Sequence, residues 1–555
     1  MSEENEFVFA ALGGLGEIGM NCALYGLGPS HKRNWLMVDL GVAFAGEDLP
    51  GVDLIMPDIN FIEKAKRGLV GIVITHAHED HIGALIDLWP RLGVKVYATR
   101  FAAGLLEARR LSEPYAPDIP VEIVEQGARV VVGPFDVEFI PVAHSIPESC
   151  ALAIRTQAGL VIHTGDWKID PTPVVGAPTD EARFKALGEE GVLALVCDST
   201  NVFREGESPS EADVARSLAE LVAGARGRVI VTSFASNVAR LRAAAEAGLA
   251  AGRQVMLMGR AMERVVAVAR ECGYLDGVPP FLGQDSFDRL PRDKVLALAT
   301  GSQGEPRAVM ARLAEDDHPA ASLAPGDMAV FSSRPIPGNE KAFSKIVNGL
   351  VAQGVEVVTD RARLVHVSGH PRRAEMARLY GWTRPKIAVP AHGEAAHLAE
   401  HAAFAKAQGI KSVVKARNGD VVLLEADDAR IIGEIERGRL YKDGTIVLGV
   451  GDDCIVERRR LAFAGIVSIA LAITAKGDLA GDPDVLIAGL PKSTRDGAGV
   501  DEIIDAAIFE TFDNMPRPKR RDADVISGAI ERAVRNAVNS AWGKKPNVHV
   551  LVVEV

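Results

Sequence analysis

The stretch that decides the fold is Thr75-His76-Ala77-His78-Glu79-Asp80-His81-Ile82-Gly83, which follows the apolar run GIVIT and precedes a segment with helical periodicity. His76 and His78 lie two positions apart, so their side chains point to the same side of an extended segment. Asp80 and His81 follow on the turn and can face a second ion. Since imidazole and carboxylate groups are common ligands of Zn²⁺, the stretch predicts a metal centre where a buried strand ends and a helix begins.

Three further ligand candidates follow later β-rich runs: His144 in PVAHSIPES, Asp166 in HTGDW and His392 in VPAHGE. Each of them alone would be an ordinary polar loop residue. Together with the first motif they complete two ligand sets bridged by Asp166, namely His76, His78 and His144 for one ion, and Asp80, His81 and His392 for a second.

The predicted cofactor is two Zn²⁺ ions per subunit, with Mn²⁺ or Mg²⁺ as alternatives in activity. Two ions about 3.5–4 Å apart lower the pKa of a shared water, and the resulting hydroxide can attack a phosphoryl or acyl centre in line. The ligand sets therefore predict a metal-dependent hydrolase. His163, three residues before Asp166, is expected to pack on the preceding strand.

Length and composition describe a globular protein of several domains. The chain has 555 residues, and at roughly 150 residues per domain this predicts three or four units. Hydrophobic residues make up 48% and charged residues 25%, which excludes fibrous, low-complexity and wholly disordered classes. The formal net charge of −12 weakens the case for a nucleic-acid partner without excluding it, because a single cleft need not follow the chain total.

Cysteine usage and the N-terminus favour a cytoplasmic protein without a membrane segment. The five cysteines are scattered, with no CxxC pair, so neither disulfides nor a thiolate zinc site is predicted. The N-terminal residues MSEENEF are acidic, whereas a signal peptide needs positive charge there. The longest nearly uncharged stretch, residues 461–475, is too short to span a bilayer.

Hydrophobic patterning along the chain predicts an α/β core that is interrupted by a second α/β unit. Short β-rich runs with intervening helices fill the first 200 residues. From about residue 210, alanine-rich helices alternate with strands, and from about residue 355 the β-rich pattern of the first 200 residues occurs again. The predicted division is a core domain in two parts (1–208 and 356–438), an inserted domain (209–355), a linker (439–462) and a small α+β domain (463–555).

Gly14-Leu-Gly16-Glu-Ile-Gly19 matches the GxGxxG pattern of dinucleotide-binding sites. That pattern has to open a helix whose N-terminus receives a pyrophosphate. The residues after Gly19 have the pattern of strands instead, so we predict a hairpin or loop here.

The order HxHxDH, then His, Asp and His, resembles the metallo-β-lactamase superfamily. Many β-lactamases of that superfamily have a cysteine at the place that Asp166 takes here. His392 follows Asp166 by 226 positions (392 − 166), which is more than a simple hydrolase of the superfamily needs. The resemblance implies an αββα sandwich, and the interval holds the second α/β unit.

An insertion at this place is typical of the β-CASP nucleases, and five further segments resemble the ribonuclease J family among them. The resemblance runs from GGLGEIGMN to the final VEV and departs from the family pattern at Ala77, Ala239 and Pro371. The five segments are DSTN (198–201), TSFASN (232–237), ATGSQGEP (299–306), SSRPIPGNE (332–340) and HVSGH (366–370).

The resemblance implies roles for residues outside the ligand sets. His370 would contact the scissile phosphate and take part in proton transfer, and Asp198 would orient it. An extended HVSGH segment places alternate side chains on one side, where they could hold a phosphate, and Phe234 is available for base stacking. The implied substrate-binding residues are Ser233, Phe234, Ala235, His366, Val367, Ser368, Gly369 and His370.

The activity implied by the resemblance is 5′-to-3′ exonuclease action on single-stranded RNA with a 5′-monophosphate, with endonuclease activity in addition, in mRNA decay and rRNA maturation. The same resemblance implies a homodimer or a dimer of dimers, formed through the tail domain, and partners in an RNA-decay complex. Two alternatives stay open. One is a small-molecule hydrolase of lactamase or thioesterase type, and the other is a non-catalytic RNA-binding protein.

Overall fold

The computed structural model describes residues 6–65, 68–336, 338–426 and 428–555. The chain divides into two compact units. The first consists of Met1–Ala43 and Ile55–Leu440, and the second of Phe44–Leu54 and Tyr441–Val555.

Two mixed sheets form the centre of the first unit. The eight-stranded sheet contains, in spatial order, Arg430–Glu434, Asp420–Leu423, Phe7–Gly13, Cys22–Leu27, Asn34–Val38, Leu69–Val73, Val96–Ala98 and Val121–Ile123. The seven-stranded sheet contains Arg129–Val132, Phe135–Pro141, Cys150–Thr156, Gly159–His163, Val192–Asp198, Ile387–Ala391 and Ser412–Val413.

Apolar side chains from the two sheets form one buried core, in which Phe7, Phe9 and Tyr25 meet Phe135 and Phe139. A second core lies between the other face of the seven-stranded sheet and its helices. Trp167, Phe184, Leu187, Tyr380 and Trp382 belong to it. The helices of this part of the unit are Asn60–Lys64, Glu79–Ile82, Leu85–Leu92, Arg100–Arg110, Glu181–Glu190, Arg373–Thr383 and Ala395–Ala407.

The inserted domain is built on a five-stranded parallel sheet with its own apolar core. Its first helix, Glu211–Gly224, begins at Ser210, whose hydroxyl accepts from the Ala212 N–H in a capping box completed by Asp213. The strands, in spatial order, are Gln254–Met258, Val295–Ala299, Val229–Thr232, Met328–Phe331 and Glu356–Val358, and the further helices are Val238–Ala250, Arg260–Glu271, Val309–Ala314 and Glu340–Ala352.

The edge strand Glu356–Val358 lies beyond the boundary at residue 355 that the sequence suggested. It pairs in parallel with Met328–Phe331 and so extends the inserted sheet. The domain limits remain a proposal, and this strand moves the end of the insertion to at least residue 358.

The motifs of the chain cluster at the carboxyl ends of strands. The ligand motif follows Leu69–Val73, Asp166 follows Gly159–His163, and His392 follows Ile387–Ala391. In the inserted sheet, the TSFASN, ATGSQGEP and SSRPIPGNE segments follow three neighbouring parallel strands. Ligands of open α/β sheets bind at this edge, so the motifs lie where a binding site is expected.

The second unit holds a three-stranded sheet of Asp484–Ala488, Ile466–Ile473 and Asn547–Glu554, covered on one face by Val500–Asp513 and Ala523–Trp542. This agrees with the small α+β domain expected in the tail. The interpretation of residues 439–462 as a linker was wrong for most of its length. This stretch contains the strands Arg439–Asp443 and Ile446–Gly449 and most of the helix Asp453–Ala464.

The GxGxxG segment forms no helix, as expected. Leu15–Gly16 is a two-residue strand that pairs in parallel with Gly393–Glu394, and all three motif glycines have positive φ angles. Among the described helices, none is both long and apolar enough to cross a membrane.

Candidate metal centre

The ligand motif occupies a sharp connection between Leu69–Val73 and the short helix Glu79–Ile82. The Thr75 carbonyl accepts from the Cys150 N–H at 3.0 Å, and the His78 carbonyl accepts from the His81 N–H at 2.9 Å. These bonds fix the backbone on both sides of the first two histidines. His76 and His81 are almost completely buried.

The first ligand set converges on one point. Nδ1 of His78 lies 3.1 Å from Nε2 of His76 and 3.0 Å from Nε2 of His144. Oδ2 of Asp166 lies 3.8 Å from the His76 nitrogen and 3.7 Å from the His144 nitrogen. One ligand atom from each of the four residues lies within 4.8 Å of the others, which is the arrangement that a single cation needs.

The second set lies beside the first and shares Asp166 with it. Nε2 of His392 is 3.2 Å from Oδ2 of Asp80 and 3.7 Å from Oδ1 of Asp166. Nε2 of His81 is 3.5 Å from Oδ2 of Asp80 and 3.3 Å from Oδ2 of Asp166. The structure therefore brings together all seven predicted ligands in the two predicted groups.

The ring nitrogens that face away from the two clusters have partners of their own. Nδ1 of His81 lies 2.7 Å from Oδ2 of Asp39, and Nδ1 of His392 lies 2.7 Å from the Thr200 hydroxyl. Nδ1 of His144 is 2.7 Å from the Gly369 carbonyl, to which it can donate. Such partners fix the tautomer and the orientation of a histidine ligand.

Asp39 and Thr200 are positioning residues that the sequence did not single out for this purpose. Asp39 also accepts from the N–H and the hydroxyl of Thr75 at 2.8 Å each, and its φ angle of 62° is in the left-handed region. A carboxylate directly after a buried strand, in the DLG turn, was the only available signal. Its partners lie 36 or more positions away.

Electrostatics separate the two clusters. Burial, together with neighbouring imidazoles, lowers the pKa of His76 and His144 well below the usual value, and the pKa of His78 falls to about 4. Burial alone would also lower the pKa of His81 and His392, but the nearby carboxylates outweigh it and raise both well above the usual value. The first set thus presents neutral imidazoles, the form that binds a metal ion.

The donor set fits a pair of divalent cations. Oδ1 of Asp166 is buried and has no hydrogen-bond partner among the described residues. Since buried polar atoms are nearly always paired, this oxygen at the junction of the two sets is available to bind a cation. Imidazole nitrogens and carboxylate oxygens are the donors that Zn²⁺ and Mn²⁺ accept.

His370 and Asp198 form a pair at the rim of the clusters. Nδ1 of His370 lies 2.7 Å from Oδ2 of the buried Asp198, and Asp166 is 3.9 Å from the same nitrogen. Burial opposes protonation of His370, but the Asp198 and Asp166 carboxylates raise its pKa. Together with His392, the pair satisfies the geometry of a third cation group, so metal binding by His370 has to be tested.

The HVSGH segment lies directly against the first ligand set, through the contact of the Gly369 carbonyl with His144. Nδ2 of Asn201 donates to the Ser368 hydroxyl at 2.9 Å and to the His370 carbonyl at 3.0 Å. Val367 is buried, whereas the side chains of His366 and Ser368 are partly exposed. The segment is therefore held by hydrogen bonds to its backbone and to Ser368, and two of its polar side chains are partly exposed.

Ser233, Phe234 and Ala235 follow the strand Val229–Thr232 and form the turn before the helix Val238–Ala250. Ser233 is buried, and Phe234 and Ala235 are partly exposed. The Asn237 side chain caps the helix by accepting from the Arg240 N–H. Ser332 links this turn to the HVSGH segment: its N–H donates to the Thr232 carbonyl and its hydroxyl to the Val365 carbonyl.

His163 lies outside both ligand sets, as expected. It ends the strand Gly159–His163, and its Nδ1 is 2.9 Å from the Tyr25 hydroxyl in the core between the sheets. Burial lowers its pKa to about 4, so it is neutral.

Four family models match the chain. They are the metallo-beta-lactamase superfamily (residues 17–181), the ribonuclease J beta-CASP domain (226–350), the Zn-dependent metallo-hydrolase RNA specificity domain (354–415) and the ribonuclease J C-terminal domain (453–555). Together they cover the core, the insertion and the tail domain.

Proteins named ribonuclease J are similar over the whole length. The chain is 53% identical to the ribonuclease J of Sinorhizobium meliloti over 555 residues, covering 100% of this chain and 98% of the relative. It is 38% identical to that of Corynebacterium glutamicum, covering 98% of this chain and 75% of the relative. A crystal structure of a protein of unknown function from Enterococcus faecalis V583 has a TM-score of 0.54 at 16% identity, covers 75% of this chain and 100% of that one, and supports the fold alone.

The fold, the order of the domains and the similarity over the full length agree, and the chain belongs to the ribonuclease J family.

Proposed function

We propose that the protein is a metal-dependent ribonuclease that degrades single-stranded RNA from a 5′-monophosphate end in the 5′-to-3′ direction. It also cuts RNA internally and acts in mRNA decay and rRNA maturation. The observation that carries the proposal is the convergence of seven His and Asp side chains on two adjacent groups beside the His370–Asp198 pair. Membership of the ribonuclease J family supports RNA as the substrate.

The residues that would hold the cations are those of the two ligand sets, and Zn²⁺ is the proposed native ion. Bound there, the ions would polarise the scissile phosphodiester and supply a nucleophile at neutral pH.

The chain's own residues supply the rest of the chemistry. Asp198 keeps a proton on Nδ1 of His370 and orients the ring, and Nε2 is the nitrogen proposed to meet the substrate. From there His370 contacts the scissile phosphate and gives a proton to the departing 3′-oxygen. The products then carry 5′-phosphate and 3′-hydroxyl ends.

The 5′ end of the RNA is proposed to bind between the HVSGH segment and the turn of Ser233, Phe234 and Ala235. Nδ1 of His366 is buried and has no hydrogen-bond partner within the described residues, which suits a phosphate oxygen. The Ser368 hydroxyl lies in the same segment, and the partly exposed Phe234 ring can stack on the first base.

A comparison of RNA ends tests this function. The metal-loaded protein is given single-stranded RNA with a 5′-monophosphate, 5′-triphosphate or 5′-hydroxyl end, and a thioester and a β-lactam in parallel. We expect stepwise release of mononucleotides, fastest from the monophosphate. Turnover of the small molecules alone would favour the lactamase or thioesterase class, for which no structural observation speaks. Binding of RNA without cleavage would leave only the non-catalytic alternative.

A homodimer, or a dimer of dimers, is proposed to form through the second unit. One face of its three-stranded sheet is uncovered by helices and exposes Leu486, Leu551 and Val553. Light scattering on the full chain and on a chain that ends at residue 465 tests this, because the truncated chain should be a monomer. A truncated chain that stays dimeric would contradict it.

The proposal also includes partners in an RNA-decay complex and a cytoplasmic location. The five free cysteines are consistent with that location.

A further inference from the structure

We infer that four buried charged residues, Lys168, Asp170, Glu211 and Arg240, are positioning residues that set the distance between the metal centre and the 5′-end pocket. This charge network would thereby determine how many nucleotides are released at each cut. The inference rests on the proposed function, because it assigns the pocket to the 5′ end of RNA.

The network starts at the loop that carries the bridging ligand. Lys168 lies two residues after Asp166 and is completely buried. Its Nζ is 2.9 Å from Oδ2 of Asp170 and 3.9 Å from Oε1 of Glu211. Asp170 in turn accepts from the Ser210 hydroxyl at 2.6 Å and from the Glu211 N–H at 2.9 Å. The metal loop is thus bonded to the first turn of the inserted domain.

The network continues into the pocket through a second ion pair. Both carboxylate oxygens of Glu211 accept from Nη2 of Arg240, at 3.1 and 2.9 Å. Nη1 of Arg240 donates to the Ser332 carbonyl at 2.8 Å and to the Val365 carbonyl at 3.1 Å. Val365 directly precedes His366.

Arg240 also belongs to the other wall of the pocket. Its N–H donates to the side chain of Asn237, and the Asn237 N–H donates to the Phe234 carbonyl at 3.1 Å. Arg240 therefore bonds to the turn of the stacking residue through its backbone N–H and to the backbone before HVSGH through its guanidinium, and its carboxylate partner leads back to the metal loop. The path joins three segments that are far apart in sequence.

The charges of the four residues balance. Two cations face two anions, and all four residues are at most 4% exposed. A buried ion pair contributes little net stability, but it tolerates few alternative geometries, because any shift leaves a charge unpaired.

A fixed distance has a consequence for the product. An exonuclease that grips the 5′-phosphate cuts at the phosphodiester that reaches the metal centre. The number of nucleotides between pocket and metals is then the product length. Loosening the network would let longer 5′ segments reach the cutting position and would weaken selection for the 5′-phosphate.

The test uses Glu211→Gln and Arg240→Lys in the full chain, with Asp327→Asn as the matched control. Asp327 is also a buried carboxylate that accepts from arginines, Arg228 and Arg292, but it precedes the strand Met328–Phe331 and so lies at the opposite end of the inserted sheet. Products from 5′-monophosphate and 5′-hydroxyl RNA are separated by length. Ser332→Ala removes only one hydroxyl that contacts the network. This variant keeps the test possible if the two variants at charged residues fail to fold.

We expect dinucleotides and longer products from the network variants, and at least a tenfold loss of the preference for 5′-monophosphate over 5′-hydroxyl RNA. The control should release mononucleotides with unchanged preference. Amide exchange should rise in 232–240 and 362–370 of the metal-free network variants and stay unchanged there in the control. Mononucleotide release and end preference like the wild type in all three network variants would overturn the inference. A wild type that shows no 5′ preference would instead contradict the proposed function.

Discussion

The metal centre and the charge network both bury ionisable side chains within the first unit, yet they treat them in opposite ways. In the metal centre, imidazoles lie against one another and a carboxylate oxygen of Asp166 has no partner among the described residues. In the network, each anion faces a cation, as Glu211 faces Arg240. The first arrangement crowds similar groups around one point, whereas the second sets opposite charges against each other. The one buried polar atom of the network without a hydrogen bond among the described residues is Nζ of Lys168, which forms an ion pair with Asp170.

This difference gives a way to distinguish a ligand-binding site from a structural ion-pair network among buried polar residues. A ligand site has donors that converge without satisfying one another, and their outer atoms are held by further partners such as Asp39. A structural support pairs each buried charge with an opposite charge. Variants in the two regions should therefore change different quantities, activity and metal content in one and unfolding free energy and product length in the other.

The largest effect is expected for His81→Ala or Asp80→Ala. Either change should reduce RNA cleavage by about 10³-fold or more, because a lost second cation removes several kcal/mol of transition-state stabilisation. Circular dichroism should show an intact fold. Full turnover in either variant would contradict the assignment of a second cation. The metal centre and the charge network would then differ only in the kinds of residue that they contain.

The next effect is expected for His370→Ala. Loss of a proton donor at the reaction centre should lower kcat by about 10²–10⁴-fold while two ions remain bound per chain. Elemental analysis of the purified variant checks the ions, and His397→Ala is a control on a helix outside the clusters. An empty position in the His370 variant would make His370 a ligand and would enlarge the metal centre.

Arg240→Met should destabilise the first unit by about 3–5 kcal/mol, because it leaves the Glu211 carboxylate buried and unpaired. The double variant Arg240→Met, Glu211→Leu should regain much of this loss. In the metal-free protein, His144→Ala should lower the free energy of unfolding less than Arg240→Met does. Removing one of several crowded imidazoles leaves no opposite charge unpaired. Denaturant midpoints measure all three. Equal losses of unfolding free energy in Arg240→Met and His144→Ala would contradict the distinction between the metal centre and the charge network.

The smallest of these effects is expected for Asp39→Asn, which should weaken metal binding by about 10–100-fold through the misoriented His81 ring. Competition with a chelator measures the affinity. Asp420→Asn is a suitable control, since Asp420 is a buried carboxylate on another strand of the same sheet and accepts from the Arg417 N–H. An unchanged affinity in the Asp39 variant would show that the ring keeps its orientation through other contacts.

The sequence predicted the fold and the family correctly, because both depend on local patterns. Apolar runs ended by HAHEDH, HTGD and PAHGE mark strand ends, and such ends meet at one edge of a sheet. The same reasoning grouped the seven ligands as the structure places them, although their role as ligands remains a prediction.

The charge network could not be predicted in this way. Glu211 looks like an acid in the first turn of a helix and Arg240 like an arginine on a helix surface, since local pattern contains no information on what packs against them. Their burial depends on segments 29 to 125 positions away. The sequence analysis also missed the strand Glu356–Val358 and the regular structure within 439–462. The reason is related, because short, half-exposed strands form only by pairing with strands that are distant in sequence.

The parallel pairing of Leu15–Gly16 with Gly393–Glu394 has a consequence for how the enzyme is made. All ligands of the first set lie before residue 167, but the second set needs His392. At a synthesis rate of about 5–20 residues per second, the ribosome needs roughly 11–45 s to add the intervening residues. During that time the nascent chain has six of the seven ligands and lacks His392. The order of the domains thus delays both this pairing and the completion of the second ligand set until the inserted domain has been synthesised.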